Sequence, residues 1–234
     1  NIDITLVVPT DKMFGEVKKS LFFKNKKIYK IPNGIDVNSF SFEDKMSAKK
    51  SLKIPNKFTV LFIAHVAFNN YRKGSHLLEK VLNKYKNDAK IQFLIVGNDS
   101  VKWRKLGYKN IYTFDFTENT QEKKLFYCAS DCKILTSINE NFPNVILESM
   151  VCGTPVIAFE SSGVKEIIKN DNGILVKKGG IKNMVEKIEN LQKNYSFLKR
   201  LSTNAIKTIK TKFSSEIEIK KYIKIYNKIL KKSK

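Results

Sequence analysis

Acidic side chains are scarce: 22 Asp and Glu stand against 44 Lys and Arg in 234 residues, a formal charge of +22. That imbalance points to negative partners, because it draws anions to the surface and raises nonspecific affinity for nucleic acid or acidic lipid. Much of the excess is Lys mixed with Asn and Ile, the pattern that codon bias in an AT-rich genome produces, so a solvated surface accounts for it without a specific ligand. Cysteine is scarcer still. Cys128, Cys132 and Cys152 are odd in number, lie in apolar stretches and lack the paired spacing of a zinc site or a redox Cys-x-x-Cys, so a reducing cytoplasm is the expected compartment. No apolar run reaches the length of a bilayer span, and the chain opens on Asn1 with a polar stretch, without the marks of a signal peptide or an initiator Met. The expectation is a piece of something longer. What is plentiful is core material: 42% hydrophobic and 11% aromatic residues exclude a disordered chain.

Strand and helix signals alternate along the chain. "ITLVVPT" precedes "GEVKKSLFF", "FTVLFIAHV" precedes "KGSHLLEKVL", "IQFLIVG" precedes a short helix, "NIYTFDF" precedes "TQEKKLFYCAS", "CKILTSI" precedes "PNVILESMVCG", and "PVIAF" precedes "VKEII". That rhythm predicts an α/β, Rossmann-like doubly wound parallel sheet, and the continuously apolar strands "VLFIA" and "FLIVG" suit a sheet covered on both faces. In such sheets ligands sit beyond the carboxyl ends of the strands. Asn119 with Glu122 reads as a capping box, and Gly153 closes the helix that Pro143 opens. After "DNGILV" the pattern is helical only. Ile181, Met184, Val185 and Ile188 form one stripe and Tyr222, Ile223, Tyr226, Ile229 and Leu230 another.

Three stretches stand out as sites. The helix opened by Pro143 offers amide N–H groups without intrahelical partners and a partly positive end, an anion seat. Glu140 lies before it and Glu148 lies about 7.5 Å along it, with seven residues between the two acids. Carboxylates repel phosphate but accept strongly from hydroxyls, so a nucleotide sugar, with hydroxylated rings on each side of a phosphate linker, suits this order of charges. A solvated loop acid and a surface helix acid fit the spacing equally well. In "IAHVAFNNYRKGSHLLEKVL", Arg72 and Lys73 stand at a helix start, where cations cost about a few tenths of a kcal/mol unless an anion is held between them. Lys73 then reads as a phosphate ligand with Arg72 as a fork-shaped helper. His65, just past the strand, is a further donor or a structural histidine. In "IPNGIDVNSF", Asn33 and Gly34 read as a turn in a connector.

Taken together, "IPNGIDVNSF", "VLFIAHVAFNNYRKGSHLL", "FLIVGND", "KLFYCASDCKILTSINENFPNVILESMVCGTPVIAFESSGVKEII" and "NDNGILV" resemble the carboxyl-terminal, donor-binding half of the retaining glycosyltransferases of family 4, which have the GT-B fold. "FSSEIEIKKYIKIYNKIL" is similar to the family's final helix. The resemblance implies that Glu140 lies against the donor sugar, that Glu148 holds the ribose hydroxyls, and that Lys73, helped by Arg72, balances diphosphate charge. It implies that Asn141, Phe142, Pro143, Asn144 and Val145 supply backbone amides to the diphosphate and sugar, and that Tyr112 and Thr113 meet the base. His65 departs from the usual Arg, and Asn141 stands where Gly is common.

The activity so implied is sugar transfer from a UDP- or GDP-linked donor to a glycan or lipid-linked acceptor, with retention, as in bacterial surface polysaccharide or lipopolysaccharide synthesis. The donor is a substrate and no cofactor is expected. The chain has no Asp-x-Asp triplet, and no essential metal is expected. Residues 1–30 resemble a remnant of an amino-terminal acceptor domain with its linker, and residues 31–234 the donor domain with a helical tail, so the acceptor domain is the missing partner and the chain alone is expected to be weakly active or inactive. Two other readings are a noncatalytic basic module for nucleotide or nucleic acid, which lacks clustered Arg with interleaved aromatics for any specific nucleic acid, and a sugar-nucleotide epimerase, which wants another arrangement of acid and His. The tail carries Lys220, Lys221, Lys224, Lys228, Lys231 and Lys232 beside its apolar stripe. It either docks on the domain or settles on an anionic membrane surface, which would place the protein on the inner face of the plasma membrane.

Overall fold

A computed structural model of the chain describes residues 4–41, 43–169 and 171–231. Lys232 of the tail and Asn170 of "NDNGILV" lie outside the described residues. The chain begins with a parallel pair, β1 (Thr5–Val8) and β2 (Lys27–Lys30), joined by α1 (Asp11–Lys19). After α2 (Lys45–Ser51) come β3 (Phe58–Ile63), α3 (Ser75–Lys84), β4 (Ile91–Val96), α4 (Val101–Arg104), β5 (Ile111–Phe114) and α5 (Thr120–Cys128). Then follow β6 (Cys132–Leu135), α6 (Asn144–Val151), β7 (Val156–Phe159), α7 (Ser162–Ile167) and β8 (Ile174–Val176). The helices α8 (Ile181–Lys193), α9 (Tyr195–Lys212) and α10 (Ser215–Leu230) end the chain.

The six strands β3 to β8 form one parallel sheet in the order β5-β4-β3-β6-β7-β8. Strand residues alternate between two buried layers. Leu61, Ile63, Leu94 and Leu135 meet α5, α6 and α9, while Val60, Phe62, Phe93 and Ile134 meet α3, α4 and α8. Both faces are therefore dry, which is why the strands read as unbroken apolar runs. The chain winds outward from β3 to β5, then returns to lay β6 on the other side of β3. Between the carboxyl ends of β3 and β6 the winding reverses, the place in such a sheet where a ligand crevice is expected.

The first pair of strands is tied to this sheet by polar contacts. Asp11 N donates to Glu166 Oε1 at 2.8 Å, and Lys30 Nζ reaches Asp11 at 2.7 Å and Glu166 at 3.3 Å. Those carboxylates, Asp11 first, hold the Lys30 ammonium above its ordinary pKa. The helix expected in "GEVKKSLFF" starts earlier, because Thr10 Oγ1 caps it by accepting from Met13 N at 3.2 Å, and it ends at Lys19, leaving Leu21 and Phe22 exposed in the following turn.

Two further expectations need correction. Asn33 and Gly34 make no turn. Ile35 forms a parallel bridge with Ser214, and a Cβ on Gly34 would come within 2.7 Å of the Ser214 carbonyl, so close backbone approach explains this glycine. On α10 the buried residue is Ile225, whereas Ile223, Tyr226 and Leu230 are exposed. The helix is anchored at its start, where Glu218 accepts from Gly34 N at 2.9 Å, and Lys228 lies over the Tyr29 ring at 5.6 Å, which fixes its rotation with the expected stripe outward. The α8 stripe is as expected, with Met184 and Ile188 fully buried. No helix among the described residues is long and apolar enough to cross a membrane.

Candidate functional site

Two loops build the crevice. The loop after β3 ends on Gly74, whose φ of 73° is left-handed and whose hypothetical Cβ would lie 2.0 Å from the Thr136 carbonyl in the loop after β6. Only glycine fits there. Thr136 Oγ1 donates toward the carbonyls of Lys73 (3.0 Å) and Gly74 (3.1 Å), and Ile138 N donates to Arg72 O at 3.0 Å. The loops are thus laced together, and Lys73 is held across from Glu140. Their Nζ–Oε1 distance is 2.6 Å, with side-chain exposures of 22% and 10%.

Beyond Glu140 the chain enters α6 through Pro143, with no side chain capping the first turn. Phe142 is buried, its ring 5.8 Å from Phe213, so its side chain packs inward and is not offered to a ligand. Asn141 turns its side chain toward the first strand pair, where Oδ1 accepts from Thr10 Oγ1 at 2.8 Å. Asn144 Oδ1 accepts from Asn33 Nδ2 at 2.9 Å, and Val145 packs against the core. Gly163 in α7 was not singled out from the sequence. A Cβ there would fall 1.2 Å from the Asn141 carbonyl, so this glycine lets α7 press the Glu140–Pro143 loop into place. A glycine in the first turn of a helix was the signal available.

Glu148 is held differently. Its Oε2 accepts from the Tyr127 hydroxyl at 2.6 Å, and Lys123 Nζ stands 3.9 Å from Oε1. Lys133 was not singled out either. It sits on β6, wholly buried, and among the described residues its Nζ donates only to the Ile134 carbonyl, at 3.3 Å. Burial foremost, with Lys73 adding to it and Glu140 and Glu148 opposing it, brings its pKa down to about 7. The buried amine is thus within electrostatic reach of Lys73, Glu140 and Glu148. Its signal in the sequence was a lone Lys inside an apolar strand.

Other candidates lie farther out. Arg72 is exposed, and its guanidinium has no hydrogen-bond or ionic partner among the described residues. His65 is exposed at the end of β3 and packs on Phe116 with ring centroids 4.9 Å apart. Tyr112 and Thr113 are not at the crevice. Both are within β5, opposite Leu94 and Ile95, and Tyr112 lines a cavity of about 390 Å³ with Lys57, Asn87 and Asn110 at the amino ends of the strands. The carboxyl end of β5 is formed by Phe114, followed by Asp115, Phe116 and Thr117, which border a cavity of about 400 Å³. The three cysteines are free and buried. Cys128 Sγ accepts from Glu43 N at 3.4 Å and Cys152 Sγ lies 3.5 Å from the Phe40 carbonyl, and the closeness of the two thiols lowers the pKa of Cys128 and, with burial, raises that of Cys152.

A lysine–glutamate pair thus spans the switch point of the parallel sheet and is followed by an uncapped helix start; the motifs led to Lys73 and Glu140 as separate ligands of phosphate and sugar, not to their pairing. Residues 44–208 match the family described as glycosyl transferases group 1. The chain belongs to that family. It is 26% identical to an uncharacterized glycosyltransferase of Methanocaldococcus jannaschii, over 94% of this chain and 59% of that protein. It is 25% identical to the capsular polysaccharide biosynthesis glycosyltransferase CapM of Staphylococcus aureus, over 86% of this chain and 54% of that protein. Among solved structures, HepE of Anabaena in complex with UDP-glucose superposes with a TM-score of 0.77 at 21% identity, covering 94% of this chain and 63% of that one. The fold of this group 1 chain is thus that of known glycosyltransferases, and it spans between half and three-fifths of the length of these two curated relatives.

Proposed function

We propose that this group 1 chain is the donor-binding half of a retaining glycosyltransferase of family 4, acting on a UDP- or GDP-linked sugar. The observation that carries the reading is the Lys73–Glu140 pair, its Nζ and Oε1 2.6 Å apart at the switch point of the sheet. A diphosphate brings its own negative charge to Lys73 and to the amides at the start of α6, and Glu140, released from full pairing, accepts from hydroxyls of the sugar. Glu148 accepts from the ribose. The acceptor hydroxyl attacks the anomeric carbon on the face the diphosphate leaves, its proton passes to a departing phosphate oxygen, and the bond from the anomeric carbon to that diphosphate breaks. Lys73 and the helix start stabilise charge as it grows on the leaving group, the contribution expected to matter most where no side chain stands as base. Arg72, unpaired among the described residues and exposed beside Lys73, is free to swing onto the outer phosphate. HepE in complex with UDP-glucose supports a nucleotide-sugar donor, and CapM, a capsular polysaccharide biosynthesis glycosyltransferase, supports a role in bacterial polysaccharide synthesis; the acceptor is taken to be a glycan or lipid-linked glycan. Acceptor binding is assigned to chain beyond this sequence, so the chain alone is expected to bind donor and transfer little.

Calorimetric titration with UDP, GDP and ADP tests the reading. At least one is expected to bind, and Lys73→Ala to weaken it about ten- to a hundredfold, the worth of a hydrogen bond to a charged group. Absence of heat for all three, or an unchanged affinity in Lys73→Ala, overturns the assignment.

A further inference from the structure

Tyr127 is wholly buried in α5, yet it carries a hydroxyl that phenylalanine would spare. Burying a hydroxyl costs free energy unless it is hydrogen-bonded, and here the O–H donates to Glu148 Oε2 across the α5–α6 interface. The phenol is held in turn. Phe40 meets its ring edge-on at 6.4 Å, and Thr154 Oγ1 donates to the Tyr127 carbonyl at 2.7 Å. Burial and the adjoining carboxylate raise the tyrosine pKa, so the group remains a donor. One carboxylate oxygen is thereby fixed. The other, Oε1, faces Lys123 Nζ at 3.9 Å, too far for a hydrogen bond, and that ammonium also lies over the Phe40 ring at 5.8 Å. A carboxylate gripped by one oxygen cannot rotate freely, and its second oxygen keeps its lone pairs for a ligand.

We propose that Tyr127 is a positioning residue that makes the site selective for ribonucleotides: it locks Glu148 so that Oε1 accepts from the vicinal hydroxyls of a ribose. This rests on the donor-site reading above. A 2′,3′-dideoxynucleotide gives the locked carboxylate nothing to accept from, so the selectivity lies in the hydroxyls alone.

The experiment compares UDP with 2′,3′-dideoxy-UDP by calorimetry on the full chain, using GDP and its dideoxy analogue if the uracil nucleotides do not bind. Wild type is expected to prefer the ribonucleotide by about tenfold or more. Tyr127→Phe keeps the ring and is expected to lower that preference severalfold while leaving the dideoxy affinity unchanged. Equal weakening of both ligands, or an unchanged preference, overturns the inference. Glu148→Gln gives a second measurement should Tyr127→Phe fold poorly: it is expected to remove the preference, and in its background Tyr127→Phe is expected to have no further effect on selectivity. A preference retained in Glu148→Gln also overturns the inference. Wild-type protein that binds no nucleotide in either form overturns the donor-site reading and this inference with it, whereas tight binding without ribose preference overturns the inference alone.

Discussion

At the residue scale the buried Lys133 makes the sharpest statement. Its pKa falls from the ordinary 10.5 to about 7 because burial disfavours the ammonium. Between those two values the unfolded chain keeps a proton that the folded chain has released, so stability rises with pH through that window, and below about 7 the whole penalty of burying the charge applies. Lys133→Met is therefore expected to stabilise the fold near neutral pH by roughly 1 kcal/mol or more and to flatten the rise of stability on the alkaline side. Thermal unfolding across that range checks it, and an unchanged slope contradicts the assignment. Single residues were also where the sequence was least legible. Glu140, Glu148 and Lys73 stand out in one dimension because they break helix-dipole or apolar patterns, but Tyr127 reads simply as core and Gly163 as an ordinary helix residue. Their roles come from partners 21 and 22 residues away, Glu148 and Asn141, which no local period encodes.

At the element scale the loops matter more than the helices they join. Gly74 permits the loop after β3 to touch the Thr136 carbonyl, and this contact sets Lys73 opposite Glu140. Gly74→Ala is expected to cost roughly 2–4 kcal/mol in denaturant unfolding, from the left-handed backbone together with the clash, and to weaken nucleotide diphosphate binding as the loops part. Stability within experimental error of wild type contradicts that view. Strands and caps were readable beforehand for a plain reason: β3 and β4 are covered on both faces, and Asn119 Oδ1 accepts from Gln121 N and Glu122 N at the start of α5 as its local sequence implies, although the reciprocal half of the expected capping box is replaced by Asn119 N donating to Thr117 Oγ1. The face of α10 was not readable, because several apolar stripes are available on that helix and the anchors at Gly34 and Tyr29, distant in sequence, choose among them. Likewise the segment "NIYTFDF" revealed a strand, but not that its carboxyl end falls at Phe114, beyond Tyr112 and Thr113.

At the scale of the whole molecule, a charge of +22 favours encounter with anionic donors, and the effect is screened by salt. The same charge meets exposed apolar side chains on α10, where Ile219, Ile223, Tyr226 and Leu230 share the helix with Lys220, Lys221, Lys224 and Lys228. Sedimentation with lipid vesicles is expected to retain the chain on acidic but not on neutral membranes, with retention falling as salt is raised; equal binding to both kinds of vesicle contradicts an electrostatic tail. The central claim concerns the crevice where the sheet reverses its winding. A crystal structure of the chain with a bound nucleoside diphosphate tests it most directly: phosphate oxygens are expected between Lys73 Nζ and the first amides of α6, with ribose against Glu148. A nucleotide seated elsewhere, with the Lys73–Glu140 pair undisturbed, contradicts it.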